Sequence, residues 1–154
     1  MKSGWQFTPE GRRIMAILYE MNDREVHVGF VDGKSYEIDK KHKSSVSIAQ
    51  VAAWNEYGTI HIPARPFMRD AIEFNQDKIQ NHLSKHVRSI LQTGNGSAQQ
   101  TLSSIGTFTQ RLIQKEIKDG MWIPNAPSTI RMKKSDRPLI DTGRMRQSVT
   151  FVIK

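Results

Sequence analysis

Two long runs of apolar residues at helical spacing, separated by a glycine-rich break, constrain the fold of this chain most strongly. In the first run an apolar residue recurs mostly every three to four positions, at Phe67, Ala71, Phe74, Ile79, Leu83, Val87, Ile90 and Leu91. Gly94-Asn95-Gly96-Ser97 then interrupts the period. The spacing resumes at Leu102, Ile105, Phe108, Leu112, Ile113 and Ile117. We therefore predict a long amphipathic helix from Pro66 to Thr93 and a second that stops at Gly120.

Three shorter helical segments are predicted from start and stop signals. Thr8-Pro9-Glu10 has the residues of a helix start, and the apolar spacing after it ends near Asn22-Asp23. Ser45 or Ser47 is a candidate cap for a helix that closes at Gly58. Asp141-Thr142-Gly143 predicts a tight turn or cap leading into a short turn of helix.

Two segments alternate apolar and polar residues, as strands with one buried face do. One contains Val26, Val28 and Phe30, and the other Val149, Phe151 and Ile153. We predict a single α+β domain over residues 1–154. In it, a small antiparallel sheet, with strands near 25–31 and 148–154, packs with the two long helices and the short N-terminal helix.

Two polar segments are predicted to lie outside this framework. Residues 34–46, which include Lys40-Lys41-His42-Lys43, predict an exposed loop with a candidate strand at Tyr36–Ile38. Residues 121–138 contain three prolines and fit no helical or strand period. We expect this segment to be a flexible basic arm that is dispensable for folding.

Composition excludes several classes of protein. Hydrophobic residues make up 37% of the 154 residues, and glycine brings the total to about 43%, just below the usual range for soluble domains. This favours an elongated or oligomeric protein with a thin core. The chain has no cysteine, which removes disulfides, thiolate nucleophiles and thiolate metal sites. Its longest apolar run, Ile14–Tyr19, is too short to span a bilayer. Met1–Gln6 lacks signal-peptide features, so we expect a soluble protein made in a cytoplasm, with no membrane partner.

The positive charge is concentrated in the last third of the chain. The net charge is +8, of which residues 111–154 carry +6, from ten Lys/Arg and four Asp/Glu. A basic cluster lies there, formed by Arg131, Lys133, Lys134, Arg137, Arg144 and Arg146. Such a cluster fits phosphates, an acidic protein surface or simply a solvated loop. No aromatic residues alternate with these charges, so base stacking is not expected.

No set of residues predicts catalysis or metal binding. Asp141-Thr142-Gly143 has the short motif of aspartic proteases, but only thirteen residues follow Asp141. Because those enzymes enclose substrate between two aspartates, we interpret the motif as a structural turn. His82 and His86 are four apart, which suits a metal, but no third ligand has a compelling spacing. We expect them on a solvated helix face, and we expect no cofactor.

The most unusual stretch is a corner between the predicted short and long helices. Trp54-Asn55-Glu56-Tyr57-Gly58-Thr59 is followed by Ile62-Pro63-Ala64-Arg65-Pro66-Phe67-Met68. Two aromatic residues end one helix, and a loop stiffened by proline begins the next. The corner is interpreted either as a local hydrophobic hub or as a contact between subunits.

This corner resembles the signature of the tail-completion proteins, also called neck or head–tail joining proteins, of long-tailed bacteriophages. Two further segments are similar to that family, in the expected order. Val28-Gly29-Phe30 resembles its first strand. Its C-terminal block is matched by Trp122-Ile123-Pro124, Thr129-Ile130-Arg131, Lys134 and Pro138–Thr150. The N-terminal helix and the Lys40–Lys43 loop are less typical of the family.

The resemblance implies a non-enzymatic virion component at the neck or tail, assembled in the host cytoplasm. It implies a ring of subunits, sixfold or twelvefold, that contacts neighbouring neck and tail proteins and encloses a lumen through which DNA passes. A subunit that is monomeric in isolation is compatible with this family. The expected assembly residues are Trp54, Asn55, Glu56, Tyr57, Gly58, Pro63, Arg65, Pro66, Phe67, Arg131, Lys133, Lys134, Arg137, Arg144 and Arg146. The alternatives are a small basic nucleic-acid-binding protein and a hydrolase that uses Asp141.

Overall fold

The computed structural model describes residues 7–31 and 46–154, and its fold is α+β, as predicted. The helices in this part of the chain are α1 (Pro9–Asn22), α2 (Ile48–Tyr57), α3 (Phe67–Glu73), α4 (Gln76–Thr93), α5 (Ala98–Asp119), α6 (Pro127–Lys133) and α7 (Arg144–Ser148). The strands are β1 (Val26–Phe30) and β2 (Val149–Ile153). The predicted loop at 34–46, including the candidate strand Tyr36–Ile38 and the Lys40–Lys43 run, lies outside the described residues, apart from Val46.

The two strands form an antiparallel pair although they lie at opposite ends of the chain. Val26 is opposite Ile153, and Phe30 is opposite Val149. Glu25 and Lys154 extend the ladder by exchanging backbone hydrogen bonds of 2.9 and 3.0 Å. The predicted pairing of these strands is confirmed.

Helix α5 crosses the sheet closely and is the central element of the fold. Gly106 of α5 lies directly against the ring of Phe151 on β2, and a Cβ at this position would overlap the ring. The absence of a side chain at Gly106 therefore sets how near the helix and sheet approach. Glycine in the interior of a helix is less stable than alanine. The close contact with Phe151 explains why α5 nevertheless has a glycine at this position.

The main core lies where α2, α3, α5 and α7 meet the sheet. Phe67, Ile113, Ile117 and Val149 are its largest fully buried side chains. The Phe30 ring meets the Phe67 ring edge-on, with 6.2 Å between centroids. A second, smaller cluster is formed by Ile17, Ile90 and Ala98, where α1, α4 and α5 adjoin.

The predicted helix starts are confirmed by side-chain caps. Thr8 Oγ1 accepts from the backbone N–H of Gly11 at the start of α1. Ser47 caps α2 and forms a reciprocal capping box with Gln50. Ser97 accepts from the backbone N–H of Gln100 at the start of α5.

The prediction of one helix from Pro66 to Thr93 was wrong, because the chain forms two helices that separate at Phe74-Asn75. Asn75 Nδ2 donates to the carbonyl of Ala71 at 2.9 Å. A side-chain amide that binds a helix carbonyl competes with the backbone ladder. Phe74, predicted on the apolar face, is instead 73% exposed.

Residues 121–138 contain regular structure, contrary to the irregular segment expected from the three prolines. Helix α6 begins at Pro127, where the missing N–H costs no hydrogen bond. It ends at Lys133, and the next residue, Lys134, has a left-handed φ of 53°. Pro127 thus begins a short helix, whose seven residues are too few for a period to show.

Candidate assembly site

Glu56 joins the end of α2 to the start of α3. Its carboxylate accepts hydrogen bonds from the backbone N–H groups of Met68, at 2.9 Å, and Arg69, at 3.2 Å. The first turn of α3 has no cap from Pro66, so Glu56 supplies acceptors for N–H groups that would otherwise be unpaired. A carboxylate also suits the positive end of a helix. Glu56 is only 7% exposed, and these two hydrogen bonds offset the desolvation of its carboxylate.

Arg65 ties the same corner to a distant segment. It is 4% exposed. Nε donates to the Ile123 carbonyl at 2.9 Å, and Nη2 lies 3.3 Å from both the Pro124 carbonyl and Asn125 Oδ1. Nη1 donates to Asn55 Oδ1 at 3.3 Å. Burial lowers the pKa of this guanidinium, but Arg remains protonated in proteins.

The acceptors around Arg65 are neutral. No carboxylate among residues 7–31 and 46–154 lies within 4.0 Å of its guanidinium. In the described chain, hydrogen bonds to these four neutral oxygens are therefore what offsets the desolvation of the buried Arg65 guanidinium. Sequence reasoning missed this role of residues 123–125, because backbone carbonyl acceptors leave no signature in side-chain chemistry.

The loop between α2 and α3 is held by its own short-range bonds. Asn55 accepts from the Arg65 backbone N–H at 2.6 Å and donates through Nδ2 to Val51 at 2.8 Å. Thr59 Oγ1 accepts from the backbone N–H of His61 and of Ile62. Gly58 has a left-handed φ of 77° and faces the Ala64 backbone so closely that a Cβ would clash. The corner is therefore a stiff unit.

The predicted corner residues divide into an inner and an outer group. Glu56, Arg65 and Phe67 are buried within the subunit, so their observed role is to hold the fold. Trp54 is 41% exposed and Tyr57 is 74% exposed on the outer side of α2. Tyr57 borders a shallow apolar cleft of about 280 Å³ with Phe30, Ala53 and Met68. A role of the corner in subunit contacts stays a prediction, carried by the outer group.

The predicted basic cluster does not form one uniform surface. Arg131, Lys134, Arg137 and Arg144 are exposed, whereas Lys133 and Arg146 are half-buried. Lys133 lines a cavity of about 380 Å³ that also reaches Arg65 and Asp141. Burial lowers the pKa of the Lys133 ammonium, Asp141 acts in the opposite direction, and Arg65 lowers it further.

The interpretation of His82 and His86 as a solvated helix face was wrong. Both rings are half-buried between α4 and α5, and each Nε2 lies 2.9 Å from Ser104 Oγ. The His82 ring also stacks on Phe108 with 4.5 Å between centroids. Burial lowers the pKa of His82, and the positive charges of His86 and Lys85 lower it further. In the described ranges, no cluster of three or more His, Cys, Asp or Glu residues could hold a metal.

Asp141 lies at the surface in the bend before α7. Gly143 then begins the helix with a left-handed φ of 75°. This is the turn followed by a short helix that the sequence predicts. Asp141 also lines the cavity that contains Lys133.

Comparisons with known proteins identify no relative. No protein-family model matches the sequence, and neither the curated proteins nor the solved structures include a significant match. The bacteriophage resemblance therefore stays a prediction. No helix in the described ranges combines the length and apolar character needed to cross a membrane.

Proposed function

We propose that this protein is a structural virion subunit of a long-tailed bacteriophage. It completes the tail, or joins it to the DNA-filled head, as part of an oligomeric ring at the neck. Its partners are copies of itself and the neighbouring neck and tail proteins. It acts without a cofactor and without catalysis, and it reaches the virion from the host cytoplasm during assembly.

The observation that carries this proposal is the excess of exposed over buried large apolar side chains. Thirteen apolar residues form the buried core of the described chain, and three of them are alanine. Fourteen large apolar side chains of the same residues are exposed. Isolated exposed apolar residues are normal, but a core this small relative to the exposed set is typical of a subunit that completes its burial against neighbours.

The stiff corner supports the same proposal. A ring requires each subunit to present one face to a different face of the next. Glu56 and Arg65 fix the corner from inside the subunit and so hold Trp54 and Tyr57 in a defined position. Preorganised aromatic side chains lose little conformational entropy on binding and are frequent in interface centres.

The test is head–tail joining by purified components with a variant of the outer group. We expect Tyr57→Ser to leave the thermal unfolding midpoint nearly unchanged and to reduce the yield of joined particles at least tenfold. Tyr19→Ser is the control, because Tyr19 is 64% exposed but lies on α1, remote from the corner in sequence. Equal yields from Tyr57→Ser and from the wild type would contradict the proposal.

A second function is favoured by one observation. Arg131, Lys134, Arg137 and Arg144 are exposed, and no ion pair in the described ranges involves them. A small basic nucleic-acid-binding protein would use such charges against phosphates. Its affinity for duplex DNA would fall steeply with salt, because each phosphate contact releases counterions. Contact with DNA in the lumen of a ring would use the same charges.

A further inference from the structure

The cavity beside Arg65 is enclosed by elements that lie far apart in sequence. Asn55 of α2 and Ile62 of the following loop line one side, while Lys133 of α6 and Met145 of α7 line another. Its volume of about 380 Å³ suits a side chain or a small molecule. Much of the lining is apolar, contributed by Val51, Ile62, Pro63, Leu139 and Met145.

The charges that line this cavity are not balanced. Arg65 and Lys133 are cationic, and Asp141 is the one carboxylate on the lining. No carboxylate of the described residues lies within ion-pair distance, 4.0 Å, of the Lys133 ammonium. Arg65 already donates to neutral oxygens, whereas no hydrogen bond of the Lys133 ammonium is found in the described chain. A half-buried ammonium in this state is stabilised by any anion that reaches it.

We propose that this cavity binds the carboxylate of an acidic side chain presented by a neighbouring protein, and that the Lys133 ammonium is the group that meets it. The carboxylate accepts a charge-assisted hydrogen bond from Nζ, and its methylene stem packs on the apolar wall near Ile62 and Leu139. The identification of the neighbour as a neck or tail protein rests on the proposed function. The carboxylate site itself does not depend on it.

The shape and charge of the cavity favour a carboxylate over a nucleic acid. Phosphates of duplex DNA lie on the surface of a wide rod, which a recess lined by Val51, Leu139 and Met145 does not admit. Two cations and one carboxylate give the lining a net charge of +1, which matches a monoanion. Asp141 repels a phosphate dianion more strongly than it repels a single carboxylate.

The first experiment is a titration of the full chain with N-acetylglutamate α-amide, which carries a single carboxylate, at constant ionic strength, followed by ¹⁵N chemical shifts. We expect saturable shifts at Lys133 and Asp141 with a Kd in the millimolar range, as one charge-assisted contact allows. Lys133→Met is expected to weaken binding at least tenfold. Lys134→Met, an equal change of charge at the adjacent exposed residue, is expected to change it less than twofold. Lys133→Arg restores a cation and is expected to recover part of the affinity.

Specific outcomes overturn the proposal. Equal weakening by Lys133→Met and Lys134→Met would show general electrostatic attraction instead of a site. If N-acetylglutamine α-amide, the uncharged analogue, binds as tightly as N-acetylglutamate α-amide, the cavity does not recognise a carboxylate. Tighter binding of inorganic phosphate would reassign the ligand. Binding of N-acetylglutamate α-amide by a protein that does not join heads to tails would keep this site and refute the neck function. Head–tail joining by a protein that does not bind N-acetylglutamate α-amide would do the reverse.

Discussion

The Arg65 guanidinium donates a hydrogen bond to the backbone carbonyl of Ile123, 2.9 Å away and 58 positions later in the chain. This bond joins the loop before α3 to the segment after α5, which the sequence predicts to be a flexible arm. Residues 123–125 supply three of the acceptors of Arg65. The start of the arm is therefore part of the fold. Deletion of residues 124–137, expected from the sequence to leave a folded subunit that fails to join heads to tails, would leave a buried cation short of partners.

Arg65→Lys is expected to lower the free energy of unfolding by about 2–4 kcal/mol, although it keeps the charge. A lysine ammonium cannot reproduce the planar fork that reaches Ile123, Pro124 and Asn55 together, and buried acceptors left unpaired are costly. Urea unfolding measures the difference. Arg69→Lys is the matched control, since Arg69 is exposed. A cost below about 0.5 kcal/mol for Arg65→Lys, the range of ordinary surface changes, would contradict this account.

Glu56→Gln is expected to cost about 1–2 kcal/mol of stability, because the amide keeps one acceptor oxygen but loses the charge and the second acceptor for the α3 amides. Glu73→Gln removes an equal charge at an exposed position near the end of α3 and is expected to be nearly neutral. Chemical denaturation of both variants gives the comparison. Equal effects would mean that Glu56 does not cap α3.

Gly106→Ala is expected to destabilise the fold by about 1–3 kcal/mol, because the added methyl group overlaps the Phe151 ring and forces α5 from the sheet. The double variant Gly106→Ala/Phe151→Leu provides the test, since the smaller side chain makes room. We expect its cost to be less than the sum of the two single costs in thermal unfolding. If the cost of the double variant equals the sum of the two single costs, overlap with the Phe151 ring is not the reason that Gly106→Ala is destabilising.

From the His82–Ser104–His86 cluster we expect the free energy of unfolding to decrease as the pH falls. The pKa of His82 is lowered in the folded protein from 6.5 by burial, by His86 and by Lys85. Below pH 6.5 the unfolded chain then binds more protons than the folded one, so stability falls as pH decreases. The Ser104 hydroxyl has one hydrogen and can donate to only one of two unprotonated Nε2 atoms, so the other ring must present an N–H.

The measurement is urea unfolding of wild type and His82→Gln at pH 7.5 and pH 5.5. We expect the wild type to lose more stability than the variant between these values. Arg111 and Lys85 are the other cations near this cluster, and both are present in the wild type and in the variant. An equal loss in both proteins would assign the acid sensitivity to groups other than His82.

Sequence patterns predicted those parts of the fold that depend on local signals. The caps Thr8 and Ser47 and the alternation in both strands act within a few residues, and all of them are confirmed. The break at Asn75 was missed although the apolar spacing lengthens there to five residues, from Phe74 to Ile79, because the period was carried across this gap. The side chain of Asn75 bonds the carbonyl of Ala71 at the break. Likewise, α6 is too short for a period to show.

The structure has the stiff corner that the sequence marks around Trp54 and Arg65, whereas its role in assembly stays a prediction. How the corner residues divide between inside and outside was not predictable from the sequence. Arg65 is held inside by acceptors from residues 123–125, two of which are backbone carbonyls that any sequence can supply. Lys133 is half-buried, whereas the adjacent Lys134 is exposed. This difference depends on where α6 ends, which the sequence pattern does not predict.

The most direct test of the proposed neck function is to mix the purified protein with tail tubes or portal-capped heads from the same source, and to examine the mixture by sedimentation and electron microscopy. The proposal predicts co-sedimentation, with ring-shaped density at one pole of the tube or at the portal. Absence of binding to both particles, together with salt-sensitive binding to free DNA, would contradict it and favour a nucleic-acid-binding protein.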